Sequence, residues 1–296
     1  LDRASPRLFD TPPAAGEERA LVSAQSCTIS PRVSLRQVAR SSLLRAPPRS
    51  TLVVIGNFDG VHRGHQAVIA SAVDEARSLG LAPVVLTFDP HPSVVLGKGT
   101  PSVLTTMARR VELMERVAPT LTVVVEPFTL ELSELEPREF VDRLLLDDLG
   151  AAAVLVGQNF CFGRGRKGDI ALLCQLGKEL GFRARAHELE GDALGAFSSS
   201  RVRGALGSGD VGAAGQILGR PHSICGRVVH GNARGAGLGF PTANLETSEE
   251  LAPRGGVYAC LVDRIDKEGA RALGKGVVNI GVRPTLGAGA STEVHL

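Results

Sequence analysis

Apolar residues recur along this chain in two rhythms, and the place where one gives way to the other divides it. From Thr51 onward, short apolar runs at 52–55, 83–88, 121–125, 153–156 and 182–186 alternate with stretches at 65–79, 106–117, 137–148 and 169–180 in which apolar positions return every three or four residues. In the first of these stretches Val68, Ile69, Ala72, Val73, Ala76 and Leu79 share one helical face, and Gly80 is a natural stop. Strand-like runs separated by helices predict an α/β domain: a parallel sheet covered by helices, with ligands bound at the carboxyl ends of its strands. After Gly219-Arg220-Pro221 the helical period disappears. Short β-branched, glycine-punctuated runs at 224–230, 256–262, 275–280 and 291–296 predict a small antiparallel barrel. The domains expected are therefore 51–220 and 221–296.

Residues 1–50 read differently, with arginines spread among prolines, serines and alanines and no sustained apolar period. They predict a disordered or mis-assigned leader. An organelle transit peptide has a similar Arg- and Ser-rich texture, but Asp2, Asp10, Glu17 and Glu18 depart from it. With 296 residues, 43% of them hydrophobic, the chain has material for two cores. Its net charge of +2 gives no reason to expect nucleic acid or a membrane surface as partner, and no apolar stretch approaches bilayer-spanning length. Cys27, Cys161, Cys174, Cys225 and Cys260 are odd in number and scattered, which predicts reduced thiols and a cytoplasmic location. Oligomeric state is not legible.

Chemistry concentrates where the first apolar run ends, in Gly56-Asn57-Phe58-Asp59-Gly60-Val61-His62-Arg63-Gly64-His65. A strand, a glycine-rich turn and a helix start form a place to hold phosphates. Gly56, Gly60 and Gly64 allow close backbone approach, the helix N-terminus presents unpaired N–H groups, and the two imidazoles add donors. Two surface histidines in an ordinary turn are the plain alternative. Zinc is poorly served, because no third or fourth ligand stands at a recognisable spacing.

The run resembles the H-x-G-H signature of the nucleotidyltransferase superfamily, and its longer form is similar to the FAD synthetase branch. Further matches follow in order: Thr87-Phe88-Asp89-Pro90-His91-Pro92, Val156-Gly157-Gln158-Asn159-Phe160-Cys161-Phe162-Gly163, and Ser198-Ser199-Ser200-Arg201-Val202-Arg203. Together they resemble the prokaryotic-type bifunctional riboflavin kinase/FAD synthetase family over about residues 52–296. The resemblance implies a Rossmann-like nucleotidyltransferase domain that transfers an adenylyl group from ATP to FMN, giving FAD and pyrophosphate. It implies that His62 and His65 contact the ATP phosphates, supported by Gly56, Phe58 and Gly64. Arg203, Ser199 and Ser200 would grip the departing phosphates, and Asn159 would sit near the flavin phosphate. Arg164, Arg166 and Lys167 read equally well as a solvated basic loop.

In the second domain, Val229 to Asn244 resembles the riboflavin kinase signature, a glycine-rich flap followed by Pro-Thr-Ala-Asn. The resemblance implies that Gly231 and Gly235 cover the nucleotide phosphates, that Thr242 and Asn244 bind Mg²⁺, and that Glu293 is the base acting on riboflavin. Riboflavin, FMN and ATP are then the small-molecule partners. Two departures stand out: Ala236 replaces the family's usual Arg, and the sequence stops at Leu296, soon after Glu293. The module therefore reads as incomplete, with weak phosphorylation of riboflavin expected. A monofunctional FAD synthetase with a degenerate kinase module, and a non-catalytic flavin- or nucleotide-binding protein, are the alternatives.

Overall fold

The computed structural model of the chain describes residues 19–23, 37–99, 101–229, 242–247, 249–266, 269–283 and 288–296. They fall into two compact units, one within Arg32–Ser199 and the other made of Ser200–Leu296 with Arg19–Ser23. The first described strand, β1 (Arg19–Ser23), thus belongs to the second unit.

The first unit is built on β2 (Gln37–Val38), β3 (Thr51–Ile55), β4 (Ala82–Asp89), β5 (Thr122–Pro127), β6 (Ala151–Gly157) and β7 (Arg183–His187). They lie in the order β2-β5-β4-β3-β6-β7, all parallel. β3 is central, between β4 and β6, and buried throughout. Its alternate side chains feed opposite layers. Leu52 and Val54 join Ile69, Ala72 and Met114 on one face, whereas Val53 and Ile55 join Leu144, Leu145 and Leu173 on the other. Burial on both faces is why such strands read as unbroken apolar runs. The helix Arg63–Leu79 ends as expected at Gly80, whose φ of +67° lets its N–H reach the carbonyls of Ala76 and Arg77. The expected 137–148 helix is present in two parts, α-helical over Pro137–Phe140 and π-helical over Val141–Asp148.

Residues 37–50, read as leader from their composition, are part of this unit. β2 extends the sheet beside β5. The buried Ser41 donates its hydroxyl to Asp148 Oδ2 at 2.6 Å and its backbone N–H to Glu126 Oε2. Arg49 donates to the Leu180 carbonyl. Only Val38 and Leu44 of this segment pack against the core, and with the remaining anchors polar there is no sustained hydrophobic period to reveal it.

A short hairpin of β8 (Gly191–Asp192) and β9 (Gly195–Ala196) precedes the helix Ser199–Ser208. This helix beyond its first residue, and the next, Val211–Leu218, group with the second unit, although the sequence pattern assigned both to the first domain. That unit is an antiparallel barrel of β10 (Ser223–Val229), β11 (Thr242–Thr247), β12 (Gly256–Asp266), β13 (Gly269–Arg283) and β14 (Ala288–His295), closed by β1 between β10 and β12. Ile224, Leu245, Val262, Val278, Ile280 and Val294 fill its core. β11 is a strand the apolar runs do not predict, because only Ala243 and Leu245 of its six residues are apolar. Gly231 and Gly235 lie outside the described residues.

Candidate functional site

Moving outward from β3, the chain builds β4 and β5 on one side and then β6 and β7 on the other. Where connections leave a central strand in opposite directions, a crevice opens at its carboxyl end. The turn after β3 emerges there, flanked by those after β4 and β6. These three turns carry three of the sequence motifs, now side by side.

Residues 56–62 form a tight turn with three positive φ angles: Phe58 at 52°, Gly60 at 82° and Val61 at 40°. A β-branched residue in that region is strained and persists only when its surroundings over-determine it. Phe58 and Val61 are both buried in the core beneath the turn, which ties the strained backbone down. Gly56 is needed because a Cβ there would stand 3.2 Å from the Phe58 ring. At Gly64 an added Cβ would stand 3.2 Å from the His62 ring, so glycine between the histidines lets His62 lie against the helix start. His62 is the N-cap, with Nδ1 accepting from the His65 N–H at 3.4 Å. The two imidazoles stack with centroids 3.6 Å apart and planes inclined by 23°. His65 is held well below the usual histidine pKa, first by burial, then by the neighbouring His62 and Arg110. It is therefore a neutral ring near pH 7, and its buried Nδ1 has no hydrogen-bond partner. That nitrogen is enclosed, so a phosphate oxygen would meet the partly exposed remainder of the ring and the helix N-terminus beside it.

The turn is fastened from beneath by residues the sequence pattern does not single out. Asp59 accepts from Arg110 Nη2 at 3.1 Å and from the N–H groups of Leu104 and Thr105. Arg110 also donates to the Asn57 carbonyl at 2.8 Å. Asp59 was visible as a member of the first motif; Arg110 and Thr105 carry no local signal, since only the fold brings helix Met107–Val117 under the turn. From the β4 turn, His91 Nε2 lies 3.0 Å from Asn57 Nδ2, and His91 Nδ1 lies 2.6 Å from Ser93 Oγ. Asn159 is exposed just beyond β6. In the loop after it Arg164 and Lys167 both pair with Glu136, which accounts for them as loop anchors. Ser199 donates to the Asp59 carbonyl at 2.8 Å, and Arg63 lies over the Phe197 ring at 4.7 Å. Ser200 and Arg203 belong to the second unit.

On the barrel, strand register places Thr242 opposite His295 and Asn244 opposite Glu293, with Asn279 beyond Glu293. Alternation puts all five on the outer face, while Leu245, Val278 and Val294 point inward. Thr242 Oγ1 lies 3.2 Å from His295 Nδ1. Hydroxyl, carboxamide and carboxylate oxygens gathered on one face are the hard donors that Mg²⁺ takes, so the residues fit that ion. A cavity of about 470 Å³ lies elsewhere in this unit, lined by Gly215, Arg220, Tyr258, Cys260, Val278 and Ile280; none of the expected site residues lines it.

Against known proteins, a family model described as FAD synthetase matches residues 44–201 and one described as riboflavin kinase matches 218–296. The chain is 41% identical over 261 residues to a bifunctional riboflavin kinase/FMN adenylyltransferase of Pseudomonas fluorescens, covering 86% of this chain and 80% of that protein. It is 36% identical over 257 residues to the protein of the same description from Escherichia coli K12, with the same coverage. Its structure is similar to a crystal structure described as a macrolide-efflux protein from Streptococcus pneumoniae, with a TM-score of 0.74, 28% identity, and 88% of this chain and 83% of that one covered. Among the described residues no helix is long and apolar enough to cross a membrane.

Proposed function

Because the chain belongs to the bifunctional riboflavin kinase/FMN adenylyltransferase family, and so makes FMN from riboflavin and FAD from FMN at the expense of ATP, we propose how its residues divide that work. The observation that carries the proposal is the His62/His65 turn at the carboxyl end of β3, where the sheet reverses its order. The FMN phosphate attacks the α-phosphorus of ATP and pyrophosphate leaves, with no covalent enzyme intermediate. The work left to the protein is to orient two polyanions and to stabilise charge as it develops. His62, His65 and the N–H groups of the turn hold the ATP phosphates, Gly56 and Gly64 permit that approach, and Phe58 anchors the turn. Asn159 stands near the flavin phosphate and ATP, and the hydroxyls of Ser199 and Ser200 act with Arg203 on the departing phosphates, roles that rest on their sequence motifs. Arg203 grips the leaving pyrophosphate; this role rests on its place in the Ser-Ser-Ser-Arg-Val-Arg motif.

In the barrel, Glu293 accepts the proton of the riboflavin 5′-hydroxyl as it attacks the γ-phosphorus of ATP. The oxygens of Thr242 and Asn244 would hold Mg²⁺, which when bound would supply positive charge to offset that of the ATP phosphates. Gly231 and Gly235 are assigned to the phosphate-covering flap on their sequence motif. The free thiols of Cys161, Cys174, Cys225 and Cys260 accord with a cytoplasmic place of work.

The test is His65→Ala, assayed with ATP and Mg²⁺ against FMN and against riboflavin separately. FAD formation should fall by about 10²-fold, the scale of losing one preorganised charge stabiliser. FMN formation from riboflavin should persist. Undiminished FAD synthesis would remove His65 from the mechanism.

A further inference from the structure

We propose that Asp59, Arg110 and Thr105 are positioning residues of the adenylyl-transfer reaction, a buried clamp that sets the phosphate-facing turn 56–62 without touching substrate. The proposal rests on the reading of the His62/His65 turn given above. Asp59 and Arg110 form a salt bridge of 3.1 Å with side chains only 6% and 8% exposed. A buried ion pair is weak evidence for stability in itself, since desolvation offsets most of its attraction. Where its hydrogen bonds go is more informative. Arg110 Nη1 donates to the Asn57 carbonyl and Nη2 to Asp59 and the Thr105 carbonyl. Thr105 Oγ1 accepts from the Gly60 N–H at 2.9 Å and lies 3.3 Å from Asp59 Oδ1. Three features of the turn, the carbonyl of 57, the side chain of 59 and the N–H of 60, are thus fixed from helix Met107–Val117 and the residues before it. They flank Phe58, include Gly60 and precede Val61, the three positions where the backbone is left-handed and has most to gain by relaxing. The carbonyl of Asp59 additionally accepts from Ser199, so a shift of residue 59 would reach the Ser-Ser-Ser-Arg-Val-Arg motif as well.

The guanidinium has a second consequence. Arg110 lowers the pKa of His65 together with burial and His62. The charged or titratable groups that act on His65 are His62 from its own turn and Arg110 from the helix beneath; Phe58, the other ring beside it, does not titrate. Removing the charge at 110 should raise the His65 pKa, whereas Arg110→Lys should leave it nearly unchanged while breaking the fork that joins Asn57 to Asp59.

These effects separate positioning from folding. In the two-domain chain, Arg110→Met and Arg110→Lys should each lower kcat for FAD formation by about 10-fold or more while riboflavin phosphorylation in the same preparation is retained. The acid limb of the pH–rate profile should move to higher pH in Arg110→Met and stay put in Arg110→Lys. Thr105→Val, which removes the acceptor for the Gly60 N–H at nearly constant volume, should reproduce the loss in kcat without moving the acid limb, and serves if Arg110→Met fails to fold. FAD synthesis within twofold of wild type in Arg110→Lys and Thr105→Val would overturn the clamp, as would an unmoved acid limb in folded Arg110→Met. His65→Ala run in parallel keeps the premises apart: if it abolishes activity while the clamp variants do not, the inference fails and the site reading stands. If His65→Ala is also harmless, the site reading itself fails.

Discussion

Burial, the stacked His62 ring and the Arg110 cation all push His65 toward the neutral imidazole. An unfolded histidine titrates near pH 6.5, so the folded value lies below the unfolded one. Above about pH 6.5 the ring is neutral in both states and titration contributes nothing to stability. As pH falls through that value the unfolded chain takes up a proton that the folded chain resists, and stability declines until the folded pKa is reached. Urea midpoints measured from pH 8 down to pH 5 should therefore fall more steeply for the wild type than for His65→Gln. Parallel curves would show that His65 is not strained against protonation. The residue type and spacing of the H-x-G-H motif were readable from the chain; the stacking and the charge state come from Phe58, Arg110 and the helix start converging on one ring.

At the scale of the strand–turn–helix element, Gly64 sets two effects against each other. Glycine inside a helix costs about 1 kcal/mol relative to alanine, so Gly64→Ala should leave stability unchanged or slightly raised on propensity alone. The new Cβ would nevertheless stand 3.2 Å from the His62 ring, which is buried and stacked on His65 and has little room to yield. The expected result is a variant of near-wild-type thermal midpoint that makes FAD at least about tenfold more slowly, since misplacement by a fraction of an ångström degrades preorganised catalysis. Thermal scans and FMN turnover on the same sample decide it; a fully active variant would mean that His62 moves aside without consequence. The Gly80 stop, by contrast, serves only the helix end. Both glycines are punctuation in the sequence, and only the contacts around them tell the two uses apart.

For the whole molecule, the two chemistries are assigned to separate units, His62 and His65 to the parallel-sheet unit and Glu293 to the barrel. Glu293→Gln should abolish FMN formation from riboflavin while FAD formation from supplied FMN continues, as chromatography of the flavin products would show. Loss of both activities would mean that the carboxylate supports the fold rather than the reaction. Hydrophobic period alone determined the α/β unit and the barrel, because strands buried on both faces and helices buried on one leave different rhythms in the chain. The order of the motifs likewise determined the family. Elements held by polar contacts or half-buried alternation were beyond that reading: Ser41 bound to Asp148 and Glu126, β11 with two apolar residues in six, β1 inserted between β10 and β12. The same holds for the Asp59–Arg110 pair. Its members are 51 positions apart, and hydrogen bonds between such distant residues exist only once the sheet has placed helix Met107–Val117 beneath the turn after β3.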